Sequence, residues 1–161
     1  MIEDAHAWCP NLRTKDSVRT SDTRYFVDPS IAAAALGAGP GELMNDLKTL
    51  GFLFEAMAVR DLRVYAESLR GEVRHYHDKM GLECDAVIHL ANGEYALFEV
   101  KIGGTRLMEE GARTLSTLAK LISEKNLRAP AFKMILTAVG DVAYTRKEDG
   151  IVVCPLSALK P

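Results

Sequence analysis

The sequence predicts an α/β fold with a mixed central sheet flanked by helices, on three observations. A helical apolar stripe over 42–69 leads into strand-like runs at 72–79, 82–90 and 94–102. An amphipathic helix over 106–124 follows, and then a mainly apolar run at 132–139. A meander of strands joined through a helix to a further strand combines antiparallel and parallel pairing, which makes the sheet mixed. With 161 residues the chain has room for one domain, or at most two small ones, and for a full core.

Each element has its own local reason. Residues 1–23 are polar and read as an irregular lead, with Arg13, Lys15 and Arg19 set among Asp16 and Asp22. A short β-like run, 24–27, precedes Asp28 and Pro29, an N-cap acceptor with proline at the first helical position. The alanine-rich helix over 30–36 stops at a Gly/Pro cluster, 37–41, which reads as a C-cap and linker because no phosphate-loop motif follows a strand there. Residues 24–41 therefore form an entry to a core over 42–161. In the core, Leu50, Phe54, Met57, Ala58, Leu62, Tyr65 and Leu69 recur at three-and-four spacing, with Gly51 as the expected break. Thr105 is the expected cap of the second long helix, and Leu107, Gly111, Leu115, Leu118 and Ile122 its buried line. After the 132–139 strand, which reads as buried on both faces, 142–145 and 151–154 read as short edge strands before a last helical turn.

Composition excludes several classes of function. No apolar run reaches the 18 or more residues of a spanning helix, and the N-terminus lacks the basic and apolar segments of a signal peptide. Cys9, Cys84 and Cys154 are odd in number and widely spaced, which points to reduced thiols and a cytoplasmic location rather than a disulfide frame. A formal charge of −2 argues against coating nucleic acid by bulk electrostatics, so any such contact needs a local patch.

The hairpin over 82–101 carries the most information. Asn92-Gly93 marks the turn, and its loop length sets the register. A two-residue loop mixes apolar and charged residues on both faces. A three-residue loop with Gly93 left-handed pairs Leu90 with Glu94, which puts Ile88, Ala86 and Cys84 with Ala96, Phe98 and Val100 on one face. Asp85 then opposes Glu99, and Glu83 opposes Lys101, on the other. A slip of one residue would destroy that separation, so the three-residue loop is expected. Opposed Cβ atoms stand about 4.5–5.5 Å apart. Two carboxylates that close repel unless a cation or proton lies between them, and Mg2+ (or Mn2+) is a fitting occupant. Alternating charges on a strand also suit a plainly solvated face.

Asp85, thirteen further residues, and then Glu99-Val100-Lys101 resemble the signature of the PD-(D/E)xK nuclease superfamily. A second resemblance covers nearly the whole chain: Arg-Tyr-Phe-Val-Asp-Pro-Ser (24–30), Gly-x-Leu-Phe-Glu (51–55), Gly-x-Glu-x-Asp (81–85) and Glu-Val-Lys (99–101). This order is similar to an uncharacterised domain that lies C-terminal to the ATPase module of bacterial and archaeal AAA-type proteins. The resemblance implies a restriction-endonuclease-like core of helix, three strands, helix and strand. It implies Mg2+-dependent phosphodiester hydrolysis of nucleic acid, DNA before RNA. Glu55, Asp85 and Glu99, with the Val100 carbonyl, would hold the metal, and Lys101 would orient water and offset charge at phosphorus. It also implies an ATPase module as partner. These 161 residues contain no Walker motif, so the expectation is a piece of a longer protein, with a solitary copy as the alternative. A nuclease-derived module that binds without turnover is the competing function.

Two weaker signals remain. His75 and His77 alternate on an expected strand, but a zinc site would need a third ligand, and surface positions are the simpler reading. Lys120, Lys125, Arg128 and Lys133 have only Glu124 against them, a pattern that suits either a phosphate-contacting rim or a solvated helix end. Arg113 joins Lys120, Lys125 and Arg128 as a candidate nucleic-acid contact if the exposed side of its helix borders the cleft. Trp8 is expected to dock on the domain or on a neighbour.

Overall fold

The computed structural model describes residues 2–10 and 21–160. Arg13, Lys15, Asp16 and Arg19 of the expected lead lie outside them. The element order is β1 (Ile2–Ala5), β2 (Thr23–Phe26), α1 (Pro29–Leu36), α2 (Pro40–Asn45), α3 (Leu47–Ser68), β3 (Gly71–His77), β4 (Glu83–Leu90) and β5 (Tyr95–Lys101). It continues with α4 (Thr105–Glu124), β6 (Lys133–Thr137), β7 (Tyr144–Thr145), β8 (Val152–Pro155) and a 3-10 turn, Leu156–Ala158. Six strands form one sheet in the order β3-β4-β5-β6-β8-β7, while β1 and β2 pair as a separate ribbon. The meander β3-β4-β5 is antiparallel, and β6 and β8 add parallel strands beyond the α4 crossover. The sheet is mixed, as expected. Among the described residues no helix is long and apolar enough to cross a membrane.

Two helices seal the two faces. Phe54, Ala58, Val59, Leu62 and Ala66 of α3 pack with Ala86, Ile88, Ala96, Phe98 and Val100. Ala112, Leu115, Leu118 and Ile122 of α4 pack with Val87, Leu97, Ile135 and Val153 on the other side. Strand β5 is therefore buried from Tyr95 through Val100, with Glu99 as its charged exception. Two-sided burial is what a helical crossover imposes on a central strand.

The hairpin forms in the expected register, with His89 opposite Tyr95, Ile88 opposite Ala96 and Ala86 opposite Phe98. Leu90 donates its N–H to the Glu94 carbonyl at 2.8 Å, and Gly93 takes the left-handed turn position, φ 81°. The expected division into a core face and a polar face does not hold, because α4 buries Val87 and Leu97 as thoroughly as α3 buries their neighbours. Charge collects at the end of the hairpin instead. Cys84 also changes sides, packing with Val87 and Leu97 rather than with Ala86 and Ile88.

Other boundaries move for local reasons. The helical break falls at Asp46, not Gly51, since the Asp46 carboxylate accepts the Thr49 N–H and hydroxyl at 3.1 and 2.6 Å. Gly104 rather than Thr105 occupies the N-cap of α4. Strand β8 is interior, between β6 and β7, so of these two short strands β7 alone is an edge. The lead is not wholly irregular. β1 pairs antiparallel with β2, and Trp8 donates its N–H to the His75 carbonyl. Trp8 is buried against Tyr95, ring centroids 4.8 Å apart, so it docks on the domain itself.

Leu97 sits on the central strand with no exposed surface. Leu97→Ala is expected to cost about 2–5 kcal/mol of unfolding free energy in a urea titration, against less than about 0.5 kcal/mol for Val64→Ala on the exposed side of α3.

Candidate active site

The site begins where hairpin pairing ends. Ladder hydrogen bonds of an antiparallel pair alternate, so Leu90–Glu94, Ile88–Ala96 and Ala86–Phe98 would be followed by Cys84–Val100. Pairing stops at Ala86–Phe98. The Val100 N–H is instead accepted by Asp85 Oδ2 at 2.7 Å, and Cys84 Sγ donates to the Phe98 carbonyl at 3.3 Å. Asp85 and Glu99 are thus brought together, but by side-chain contacts rather than by direct backbone opposition. Glu83, expected opposite Lys101, turns to His77 at 3.3 Å.

Lys101 closes the cluster. Its Nζ lies 2.5 Å from Glu99 Oε2 and 3.2 Å from Asp85 Oδ2. Glu99 is only 3% exposed and its Oε1 has no hydrogen-bond partner. The α4 backbone passes close over it at Gly111, where an added Cβ would stand 3.4 Å from Glu99 Cβ. Glu55 reaches the cluster from α3 and accepts the Tyr25 hydroxyl at 2.8 Å. After Lys101 the chain turns into α4 through Gly103 and Gly104, both at positive φ, and a Cβ on Gly103 would clash with Val139.

Charge in this pocket is out of balance, with three carboxylates and one ammonium. Burial, and then the charge of Asp85, push Glu99 up to about 8 although Lys101 pulls the other way. The same two causes push Glu55 up to about 7, against the Tyr25 hydroxyl and Lys101. Burial alone would lower Lys101, but Asp85 and Glu99 overcome it and hold its proton above the ordinary lysine range. Tyr25 is raised by burial and then by Glu55, so it stays a donor. One lysine does not neutralise three carboxylates, and the fold retains protons to make up the difference.

A divalent cation fits this donor set. Glu99 Oε1 is a buried oxygen awaiting a partner, the carboxylates are hard ligands, and the protons they hold are those a metal would displace. Among the described residues, however, no three His, Cys, Asp or Glu side chains converge as a ready-made ligand group. Lys101 is the cation between Asp85 and Glu99. Val100 lies at the same end with its N–H on Asp85. A cavity of about 580 Å³ opens beside the cluster, lined by Glu55, Asp85 and Glu83 along with Tyr25 and His77.

The basic candidates lie elsewhere. Arg113 is exposed in the middle of α4. Lys120 pairs loosely with Glu124, Lys125 caps the helix, and Arg128 pairs with Glu94 at 2.8 Å. Glu94 adjoins the start of β5 and Lys101 its end, about 23 Å apart along an extended strand. Lys120, Lys125 and Arg128 therefore do not border the carboxylate cluster. His75 and His77 both border the cavity but are differently placed. A bulge between Arg74 and Tyr76 breaks their alternation, and His75 is buried with Nδ1 3.0 Å from the Ala5 carbonyl. Tyr25 was missed as a site residue because its motif marked only a strand, and its long-range partner, thirty positions on, has no local signal.

A family model described as a domain of unknown function, DUF4143, matches residues 50–159. That span holds Glu55, Asp85, Glu99 and Lys101 and leaves out Tyr25. Neither a curated protein nor a solved structure matches the chain.

The held protons make stability depend on pH. Unfolded glutamates release theirs near pH 4.3, whereas folded Glu55 and Glu99 keep theirs to about 7 and 8. Between these limits the native state binds more protons. This contribution is full below about pH 4 and is lost as pH rises through 7 to 8. Glu99→Gln is expected to flatten the decline and to be the more stable protein at pH 8 by chemical denaturation. Parallel profiles for the two proteins would contradict the assignment.

Proposed function

The chain belongs to the DUF4143 family, and from there we propose that it is a divalent-cation-dependent phosphodiesterase acting on nucleic acid, DNA rather than RNA. One observation supports this above the rest: Glu55, Asp85, Glu99 and Lys101 gather at one sheet end with more buried carboxylate than Lys101 offsets. A purely structural strand end has no use for such an excess, which costs stability at neutral pH. Asp85 and Glu99, with Glu55 and the Val100 carbonyl, would hold Mg2+ or Mn2+. Once bound, such an ion supplies Lewis-acid charge at a phosphoryl oxygen and a water activated near neutral pH.

The chain's own groups do the rest. Asp85 and Glu99 keep the Lys101 amine protonated, so its charge is available to a phosphate or to the attacking water. The Tyr25 hydroxyl holds the Glu55 carboxyl in place. Helix α4 packs over the strand at Gly111, and Glu99 beneath it is almost fully buried. The restriction-endonuclease-like reading of the core and the link to an AAA-type ATPase module belong to the same proposal. The order of helix, three strands, helix and strand supports the first, and the motif order from 24 to 101 supports the second.

A second reading is favoured by Lys101 bridging Asp85 and Glu99, with no ready-made ligand group among the described residues. In that reading the module binds nucleic acid or a protein without turnover. Calorimetric titration with Mg2+, run beside plasmid and oligonucleotide cleavage, separates the two. The nuclease reading expects binding with proton release, stronger at pH 8 than at pH 6. It expects cleavage to fall by at least about 100-fold in Asp85→Ala and Lys101→Ala proteins that still fold by circular dichroism. Metal binding without cleavage would support the silent module, and no binding of Mg2+ or Mn2+ would contradict the phosphodiesterase.

A further inference from the structure

The β1–β2 ribbon is tied to the core by more than packing. A lone pair of strands is marginal by itself, so its position comes from what it is fastened to. Arg63 of α3 pairs with Glu3 of β1, and its guanidinium lies 5.9 Å from the centre of the Tyr25 ring on β2, within cation–π range. The Ala5 carbonyl meets His75 Nδ1 at 3.0 Å, and the His75 N–H is given to the His6 carbonyl at 3.1 Å. The ribbon is therefore held at two points, to α3 through Glu3 and to β3 through the chain at Ala5 and His6.

Strand register carries that hold to the carboxylates. Glu3 stands directly opposite Tyr25 in the ribbon, so Arg63 touches both members of one cross-strand pair. Tyr25 is 9% exposed, and its hydroxyl donates to Glu55 Oε1 at 2.8 Å. Its ring thus links Arg63 at its face to Glu55 at its hydroxyl, two residues of the same helix. A ring kept only for packing would serve as well as phenylalanine, which brings no hydroxyl that must find a partner. Here the partner is the one acid of the cluster that comes from a helix and not from the hairpin. A glutamate side chain is otherwise free to turn, and a hydrogen bond from a buried donor aims it before a ligand arrives.

Resting on the phosphodiesterase reading, we propose that the ribbon is a working part of the metal site. Tyr25 is a positioning residue that acts through Glu55: it occupies Oε1 and leaves Oε2 for the divalent ion. Arg63 keeps Tyr25 in place by clamping the Glu3–Tyr25 pair.

The test is Mn2+ binding to the full chain, read from the electron paramagnetic resonance of the free ion, with no turnover required. Tyr25→Phe keeps the ring and removes only the hydroxyl, and it is expected to weaken Mn2+ binding about tenfold. Arg63→Gln loosens the ribbon without touching that hydroxyl, and a loss of about threefold is expected. That direction is informative, because removing a nearby positive charge would by itself favour a cation. Neither substitution should weaken binding further in a Glu55→Gln background, since both act through Glu55. Tyr144→Phe, at an exposed hydroxyl on β7, should leave the affinity unchanged. Circular dichroism checks that each variant folds. Unchanged affinity in folded Tyr25→Phe, or an equal loss with and without the Glu55 carboxylate, would overturn the proposal and leave the phosphodiesterase reading standing. No Mn2+ binding by the unsubstituted chain would overturn both.

Discussion

One hydrogen bond organises the charged end of this sheet: the Val100 N–H given to the Asp85 carboxylate at 2.7 Å. A β-ladder would give that N–H to a backbone carbonyl, and the hairpin would continue as ordinary sheet. With a side chain accepting it instead, β4 and β5 part company. Cys84 turns to the α4 side, and Asp85 is left where it acts on Glu55 and contacts Lys101. Three acids from two strands and a helix then share one region. A single exchange of acceptors converts a strand pair into a charged cluster.

The rest of the architecture makes that cluster costly to leave as it is. Helices on both faces remove β5 from water, so Glu99 is buried beside Asp85, with Lys101 as its ion-pair partner. A buried carboxylate either pairs, binds a cation or keeps its proton. Here Glu99 and Glu55 lean toward the proton while Lys101 is shared. A proton held near neutral pH is easily exchanged for a divalent ion, which is how a strained resting state would serve catalysis. Glu55 and Asp85 of the cluster border one cavity together with the exposed side chains of Phe52, Phe26 and Leu36.

Much of this was legible in the sequence, for identifiable reasons. Hairpin register followed from Asn92-Gly93 and a three-residue loop, although the face read as polar in choosing it is largely buried by α4. Asp85, Glu99 and Lys101 were legible because they share one hairpin, whereas Glu55, on a separate helix, was reached only through the family resemblance. What escaped depends on contacts between distant segments. The second buried face of β5 is created by α4, the interior place of β8 by parallel pairing with β6, and Trp8's burial by the edge of β3. Local pattern could not tell an Asp46 cap from a Gly51 break, since both residues interrupt helices. Surface cations near the end of α4 suggested a phosphate rim only because sequence does not show which end of the sheet they occupy.

Anomalous diffraction from crystals grown with Mn2+ tests the central claim most directly. A single strong peak is expected, bounded by Asp85, Glu99 and the Val100 carbonyl, with the Lys101 amine moved away from its bridge between the two carboxylates. Density without a peak, and Lys101 still joining Asp85 to Glu99, would contradict it.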